Sequence, residues 1–178
     1  PAAPAPTPPP PVKKGTVSGP RDAPTGWLLI APPQSGFSVL MPGAAASEEE
    51  AAQTKPFPLA LRSYFAKDDT TVYGAVECGD FPDETARVEN FDEIKLNLAF
   101  RGMEQQAAEL GAKITHEGSA PFGGYPARQY RLTSDGGSGR ALVVSTPRKF
   151  FLFISFSSGD RRQAAKVERF FSSIKLAK

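Results

Sequence analysis

His116 is the only histidine in this sequence, so any serine or cysteine nucleophile activated through an imidazole would have to use it. It falls on an expected strand between Thr115 and Glu117, and no serine sits in a nucleophile-elbow motif. We read it as a strand residue. Cys78 is the only cysteine and has no flanking cation to lower its pKa, so it reads as a small core residue rather than a reactive thiol. Asp80, Asp83 and Glu84 carry the oxygen ligands that calcium or manganese takes, but not at the spacing of a calcium loop. The expectation there is a solvated acidic loop. The run Asp135-Gly136-Gly137-Ser138-Gly139 reads as a hairpin turn, because no helix follows it to complete a phosphate cradle. No Walker loop or dinucleotide fingerprint is present. We expect no catalytic residue, no cofactor and no metal ligand: not an enzyme, with no small-molecule substrate evident.

The charge that stands out is at the C-terminal end. From Arg148 to Lys178 there are eight basic residues against Asp160 and Glu168. Arg162, Lys166 and Arg169 share one face of an expected helix and are expected to be solvent-exposed, while Val167, Phe170 and Ile174 pack on the sheet. Two readings follow. One is a solvated helix surface. The other is a contact through Arg161, Arg162, Lys166 and Arg169 with an anionic membrane surface or a membrane protein assembly, each basic residue contributing on the order of 1 kcal/mol near charged lipid. Net charge is only +2, so no nucleic-acid partner is expected.

The elements that must position these residues are organised around Lys149 to Ser158. Read with a period of two, Phe150, Leu152, Ile154 and Phe156 share one face, and Phe151, Phe153, Ser155 and Ser157 the other. Both faces are apolar at the start, which predicts a central strand covered on both sides, with serines where a helix presses close. Before it come strands at Trp27 to Ala31, Phe37 to Met41, Leu59 to Ala66 and Thr71 to Cys78, with Ala44 to Thr54 as a polar connection. On the fourth, Val72, Gly74, Val76 and Cys78 share a face. Gly79 to Asn90 reads as an acidic loop. A helix is expected over 91–110, with Asn90 as N-cap, Glu93 closing a capping box, and Leu96, Phe100, Met103, Ala107 and Leu110 as its apolar stripe. Gly111 is the expected stop. Strands at Ala112 to Ser119, Tyr125 to Thr133, Arg140 to Thr146 and Phe150 to Ser157 then form an antiparallel meander. A second helix runs from about Asp160 to Ser173, with Ala164, Val167, Phe170, Phe171 and Ile174 as its apolar face.

The order predicts an α+β domain: an antiparallel sheet with helices packed on both faces, an α/β/α sandwich. It occupies residues 26–178. Residues 1–25 hold nine of the chain's 18 prolines and read as an extended Pro/Ala-rich tether, because proline fixes φ and lacks an amide hydrogen. The chain begins at Pro1 without a methionine, which leads us to expect that an upstream segment was removed. With one cysteine there is no internal disulfide, which suits the cytosol or an exported protein that does without one.

Four stretches carry a resemblance. They are Gly36-Phe37-Ser38-Val39-Leu40-Met41-Pro42-Gly43, Gly123-Gly124-Tyr125-Pro126-Ala127-Arg128, the aromatic strand at 150–156, and Phe170-Phe171-Ser172-Ser173-Ile174-Lys175-Leu176. Together they resemble the PsbP-like superfamily, whose α/β/α sandwich is shared by the photosystem subunit PsbP, the envelope protein DcrB and bacterial lipoproteins of unassigned activity. The motifs are structural, so no catalytic role comes with them. The resemblance implies a non-enzymatic cell-envelope protein, on the periplasmic or extracytoplasmic side and tethered near a membrane, that acts as an accessory subunit of a membrane protein assembly. A lipid anchor would lie upstream of Pro1. The alternative is a small-ligand carrier, with a pocket between sheet and helix where Gly74 and the serines of the central strand leave room.

Overall fold

The computed structural model describes residues 11–52, 59–158 and 164–177. Within them the chain runs β1 (Lys13–Val17), β2 (Leu28–Ile30), β3 (Phe37–Met41), β4 (Ala45–Ala52), β5 (Leu59–Lys67), β6 (Thr71–Gly79) and a short 3-10 turn at Asp83–Arg87. Then follow α1 (Phe91–Glu109), β7 (Lys113–Ser119), β8 (Ala127–Ser134), β9 (Gly137–Ser145), β10 (Lys149–Ser157), α2 (Ala164–Ser172) and β11 (Lys175–Leu176). Eight strands form one antiparallel sheet in the order β1-β4-β5-β6-β10-β9-β8-β7, and β11-β3-β2 form a small one of three.

The helices lie on opposite faces of the large sheet, as the pattern of β10 demands. Phe151 and Phe153 point to one side, where they pack with Phe37, Val39 and Met41 of the small sheet and Phe170 and Phe171 of α2. Phe150 points to the other, where Leu96, Ala99 and Met103 of α1 pack on Tyr130, Leu132, Ala141 and Val143. Each fully buried aromatic or aliphatic side chain contributes roughly 1.5–3 kcal/mol, so the two clusters hold the sandwich together. Ser155 is buried on the α2 side, at the position expected for a close approach.

Five details depart from the sequence reading. The stretch taken as a polar connection contains β4. Its glutamates alternate across the sheet, and Glu48 and Glu49 pair in register with Lys14 and Arg62, so polar cross-strand pairs replace the hydrophobic alternation used to find strands. The sheet also reaches into the stretch read as a tether, because Lys13–Val17 pairs with β4 as an edge strand. Residues 1–10 of the tether lie outside the described residues. Asn90 does not cap α1: it adopts a left-handed conformation (φ 58°) with no side-chain cap, and Glu93 turns instead to Arg128. Leu110 leaves the apolar stripe and is exposed, because the helix ends at Glu109. Gly111 (φ +67°) then closes a Schellman motif, its amide donating to Ala108 O and that of Ala112 to Ala107 O. Finally, Ala164 is exposed, because the apolar face of α2 begins at Val167. The start expected for α2, 160–163, lies outside the described residues.

Candidate functional site

The residues singled out for chemistry are each held in ordinary structural contacts. His116 sits beside a bulge on the edge strand β7, exposed, with Nε2 3.1 Å from Ser119 Oγ and its ring 5.5 Å from that of Tyr130. Among the described residues no acid orients its other nitrogen, so the pair lacks the third member of a relay. Burial, with the nearby Glu77 charge, pushes the Cys78 thiol up to about 12, which leaves it protonated and unreactive. Asp83 pairs with Arg148, just before β10, at 3.4 Å, and Asp80 approaches Lys149 at 3.7 Å, so two acids of the loop already have basic partners. No three metal-ligating side chains converge among the described residues. The glycine run forms the tight β8–β9 hairpin.

The basic face of α2 is more engaged than expected. Lys166 and Arg169 are half-buried rather than solvent-exposed. Lys166 donates to Asp68 Oδ2 at 3.0 Å, and the Arg169 guanidinium lies 5.3 Å from the Trp27 ring centre. Burial pushes the Asp68 carboxyl up, but hydrogen bonds from Lys166 and from the Thr70 and Thr71 amides outweigh it and hold the group below its usual value. Both basic side chains therefore fasten α2 to the rest of the fold. Arg161 and Arg162 lie outside the described residues.

Two buried charges were not anticipated. Glu77, fully buried on β6, accepts hydrogen bonds at Oε1 from Arg62 and Lys149, whose ammonium also donates to Gln34 O at 2.9 Å. Its place in the β6 alternation with Tyr73 and Ala75 gave no sign of a paired charge. Lys95 occupies a core position of α1 and is 1% exposed. Its Nζ donates to Thr146 O, lies 3.1 Å from Asp92 and sits 4.9 Å from the Phe91 ring centre. Burial lowers its pKa, and the Asp92 pairing only partly restores it. A lysine of this kind beside Ser145 is what a serine–lysine nucleophile needs. Ser145, however, donates to Asp92 Oδ1 at 2.6 Å, and the lysine donors point at a carbonyl and a ring. The group ties the start of α1 to the β9–β10 hairpin. Its signal in the sequence was the spacing Lys95, Ala99, Met103.

Two open features remain. A groove of about 710 Å³ runs between α2 and the β8–β9–β10 strands, with Gln129, Arg140, Ser155, Ser157, Val167 and Glu168 in its walls. Arg140 there is already paired with Glu168 at 2.8 Å. The space expected above Gly74 does not exist: a Cβ there would lie 2.4 Å from the Phe65 ring, which fills it. The second feature is a face. Helix α1 packs mainly over β7–β10, and the cluster beneath it also takes in Leu59 of β5 and Cys78 of β6. Away from that cluster the same side of β5 and β6 is left without a covering helix, and it carries Ser63, Phe65, Lys67, Val72 and Val76, beside Ile154 and Phe156 of β10. Phe65 is 39% and Val72 45% exposed. Along α1, Phe100 stacks on Tyr130 towards β8, while Phe91 meets Phe81, which follows β6. The flank turned to the open strands therefore bears Leu98, 41% exposed, while Ile94, 49% exposed, faces outward from the helix. An apolar surface running across two elements marks an interaction site more often than scattered single residues do.

A scan against protein-family models finds no match, and no curated protein matches the chain. Among solved structures it is similar to the solution structure of cyanobacterial PsbP (CyanoP) from Synechocystis sp. PCC 6803, with a TM-score of 0.53 at 12% identity, covering 84% of this chain and 92% of that one. The chain has a PsbP-like fold.

Proposed function

With that fold as the premise, we propose that this chain is a non-enzymatic accessory domain that steadies a membrane protein assembly by docking a protein subunit on the open face of β5 and β6. The observation that supports it is the contrast at the surface. The side chains able to do chemistry are tied to one another or buried, whereas Phe65 and Val72 on the strands and Ile94 and Leu98 on α1 are large apolar side chains left exposed. Flat apolar ground of this kind suits a protein interface better than a small-molecule site, which is concave. The Pro/Ala-rich segment ahead of β1 serves as the tether, on the extracytoplasmic side of a membrane. Among the described residues no helix is long and apolar enough to cross one.

The gene sequence upstream of Pro1 tests the placement: an export signal or lipid-anchored cysteine is expected, and a chain with neither would contradict it. Fractionation of source cells tests the docking. Wild-type protein should sediment with membranes from which no lipid anchor can account for it, and Val72→Glu in the same anchor-free chain should stay in the supernatant. Equal sedimentation of both would overturn the role given to this face. The groove beside α2 supports a second reading, a carrier of a polar small ligand. Native mass spectrometry of the purified chain should then show a bound mass that Ser155→Leu removes.

A further inference from the structure

The groove beside α2 holds a polar atom that the fold leaves unused. Ser155 is 1% exposed and lines the groove floor, yet among the described residues its hydroxyl has no hydrogen-bond partner. Ser157, on the same face of β10, meets Thr71 Oγ1 at 2.8 Å. A buried polar group without a partner marks the place of a water or a ligand that completes it. The register sets more of the same chemistry beside it. Ser155 lies opposite Arg140 and Arg140 opposite Arg131; in the next row Ser157 lies opposite Ser138 and Ser138 opposite Thr133. Residues opposite one another on neighbouring strands share a face, so these side chains form a floor three strands, or about 10 Å, wide. Gln129, Thr133 and Ser138 are exposed on it, and their side chains too have no hydrogen bond among the described residues.

Charge does not select the occupant. Two arginines directly opposite each other repel, but Arg131 is held by Glu117 and Arg140 by Glu168, so the groove carries no net charge. An ionic ligand would have to break one of these pairs. What remains free are donors and acceptors. They are the hydroxyls of Ser155, Ser138 and Thr133, each able to act as both, the Gln129 amide, and the guanidinium N–H groups that one carboxylate cannot fill. The wall is apolar where Val167 of α2 packs towards the core. Past Arg140, whose guanidinium lies 4.7 Å from the Phe171 ring centre, the groove continues into a narrower part of about 210 Å³ beside Phe122.

From a hydroxyl-rich floor and an apolar wall in a neutral groove we infer that the groove binds a neutral saccharide, its hydroxyls on Ser155, Ser138 and Thr133 and the C–H face of a ring against Val167. The continuation beside Phe122 gives room for more than one ring, so the ligand is an oligosaccharide. The inference rests on the carrier reading and names the class of ligand carried.

The test is an NMR titration of the full chain with cellotetraose and with tetra-N-acetylchitotetraose, both neutral. Inorganic phosphate and N-acetyltriglycine amide, a neutral chain of amides without hydroxyls, serve as controls. The expected result is shifts from at least one sugar, confined to β8, β9, Ser155 and the first turns of α2. The affinity should be the same at low and at physiological salt, because no charge is neutralised. Ser155→Ala should weaken binding about fivefold, the worth of one hydrogen bond. It should leave the thermal midpoint unchanged, because the hydroxyl has no partner in the free chain to lose. Thr133→Val, at the exposed side of the floor, should weaken binding by a similar factor. No shifts from either sugar, shifts on the α1 side, or equal affinity in wild type and Ser155→Ala would overturn the inference. Phosphate moving the same residues would assign the groove to anions, and N-acetyltriglycine amide binding there as tightly as the sugars would assign it to peptides; either result overturns it too. A bound mass that Ser155→Leu removes, in a chain that neither sugar shifts, sinks this inference alone and leaves the carrier reading standing.

Discussion

The two sides of the large sheet are finished differently. On the α2 side a second sheet and a helix close over the strands, and Val39, Met41, Phe153 and Phe170 reach full burial. On the α1 side one helix covers β7–β10 and stops, leaving aromatic and aliphatic side chains of β5 and β6 in solvent. The open strands are where we place the proposed docking site.

The comparison breaks most visibly on the sealed side. Phe170→Ala removes a ring in contact with Tyr73 and Phe171 and should cost roughly 3–5 kcal/mol, read as a lowered urea midpoint. Glu77→Ala leaves Arg62 and Lys149 without their shared carboxylate, and breaking a buried pair from one side costs about 3 kcal/mol, read in the same way. A loss below about 1 kcal/mol would mean that solvent screens the two cations.

The alkaline limb of stability probes the α1 side. Cys78 ionises at about 9 when unfolded and only near 12 when folded. Above pH 9 the unfolded chain therefore binds fewer protons than the folded one, and stability falls as pH rises. The slope from this group is about 1.4 kcal/mol per pH unit, and Cys78→Ala should remove it. Wild type and variant with equal slopes from pH 9 to 11 would show the thiol to be accessible. Tyr73, pushed up to about 12 chiefly by burial, adds a slope of the same sign, which the variant keeps.

Most of the frame was legible in the sequence. The alternation of β10, the helix at α1 and the meander that follows it are hydrophobic patterns, and burial obeys them. What escaped was set by pairing across the chain. β1 and β4 are strands because Lys14, Glu48, Glu49 and Arg62 meet in register, and no local period records that. Lys95 and Glu77 look like surface residues until the groups opposite them are known. The open face escaped for another reason. Val72, Gly74, Val76 and Cys78 read as one strand face, and periodicity tells which residues share a face without telling whether anything covers it.

The smallest stability effects belong to the surface. Lys166→Gln loses a half-exposed pair with Asp68 and should cost no more than about 1 kcal/mol, and less at high salt, as thermal melts at two salt concentrations would show. Val72→Lys and Leu98→Lys should stay within about 0.5 kcal/mol of wild type, because they replace side chains already in solvent. Their effect should appear in binding alone, which separates an interface from a core.

Photocrosslinking in source cells tests the central claim most directly, with a photoreactive residue at Val72 on the open face or at Thr133 on the α2 side of β8. The account predicts one discrete crosslinked protein from position 72, lost when Leu98 is changed to Lys, and none of that mass from position 133. The same products from both positions, or none from position 72 in cells that hold the intact assembly, would contradict it.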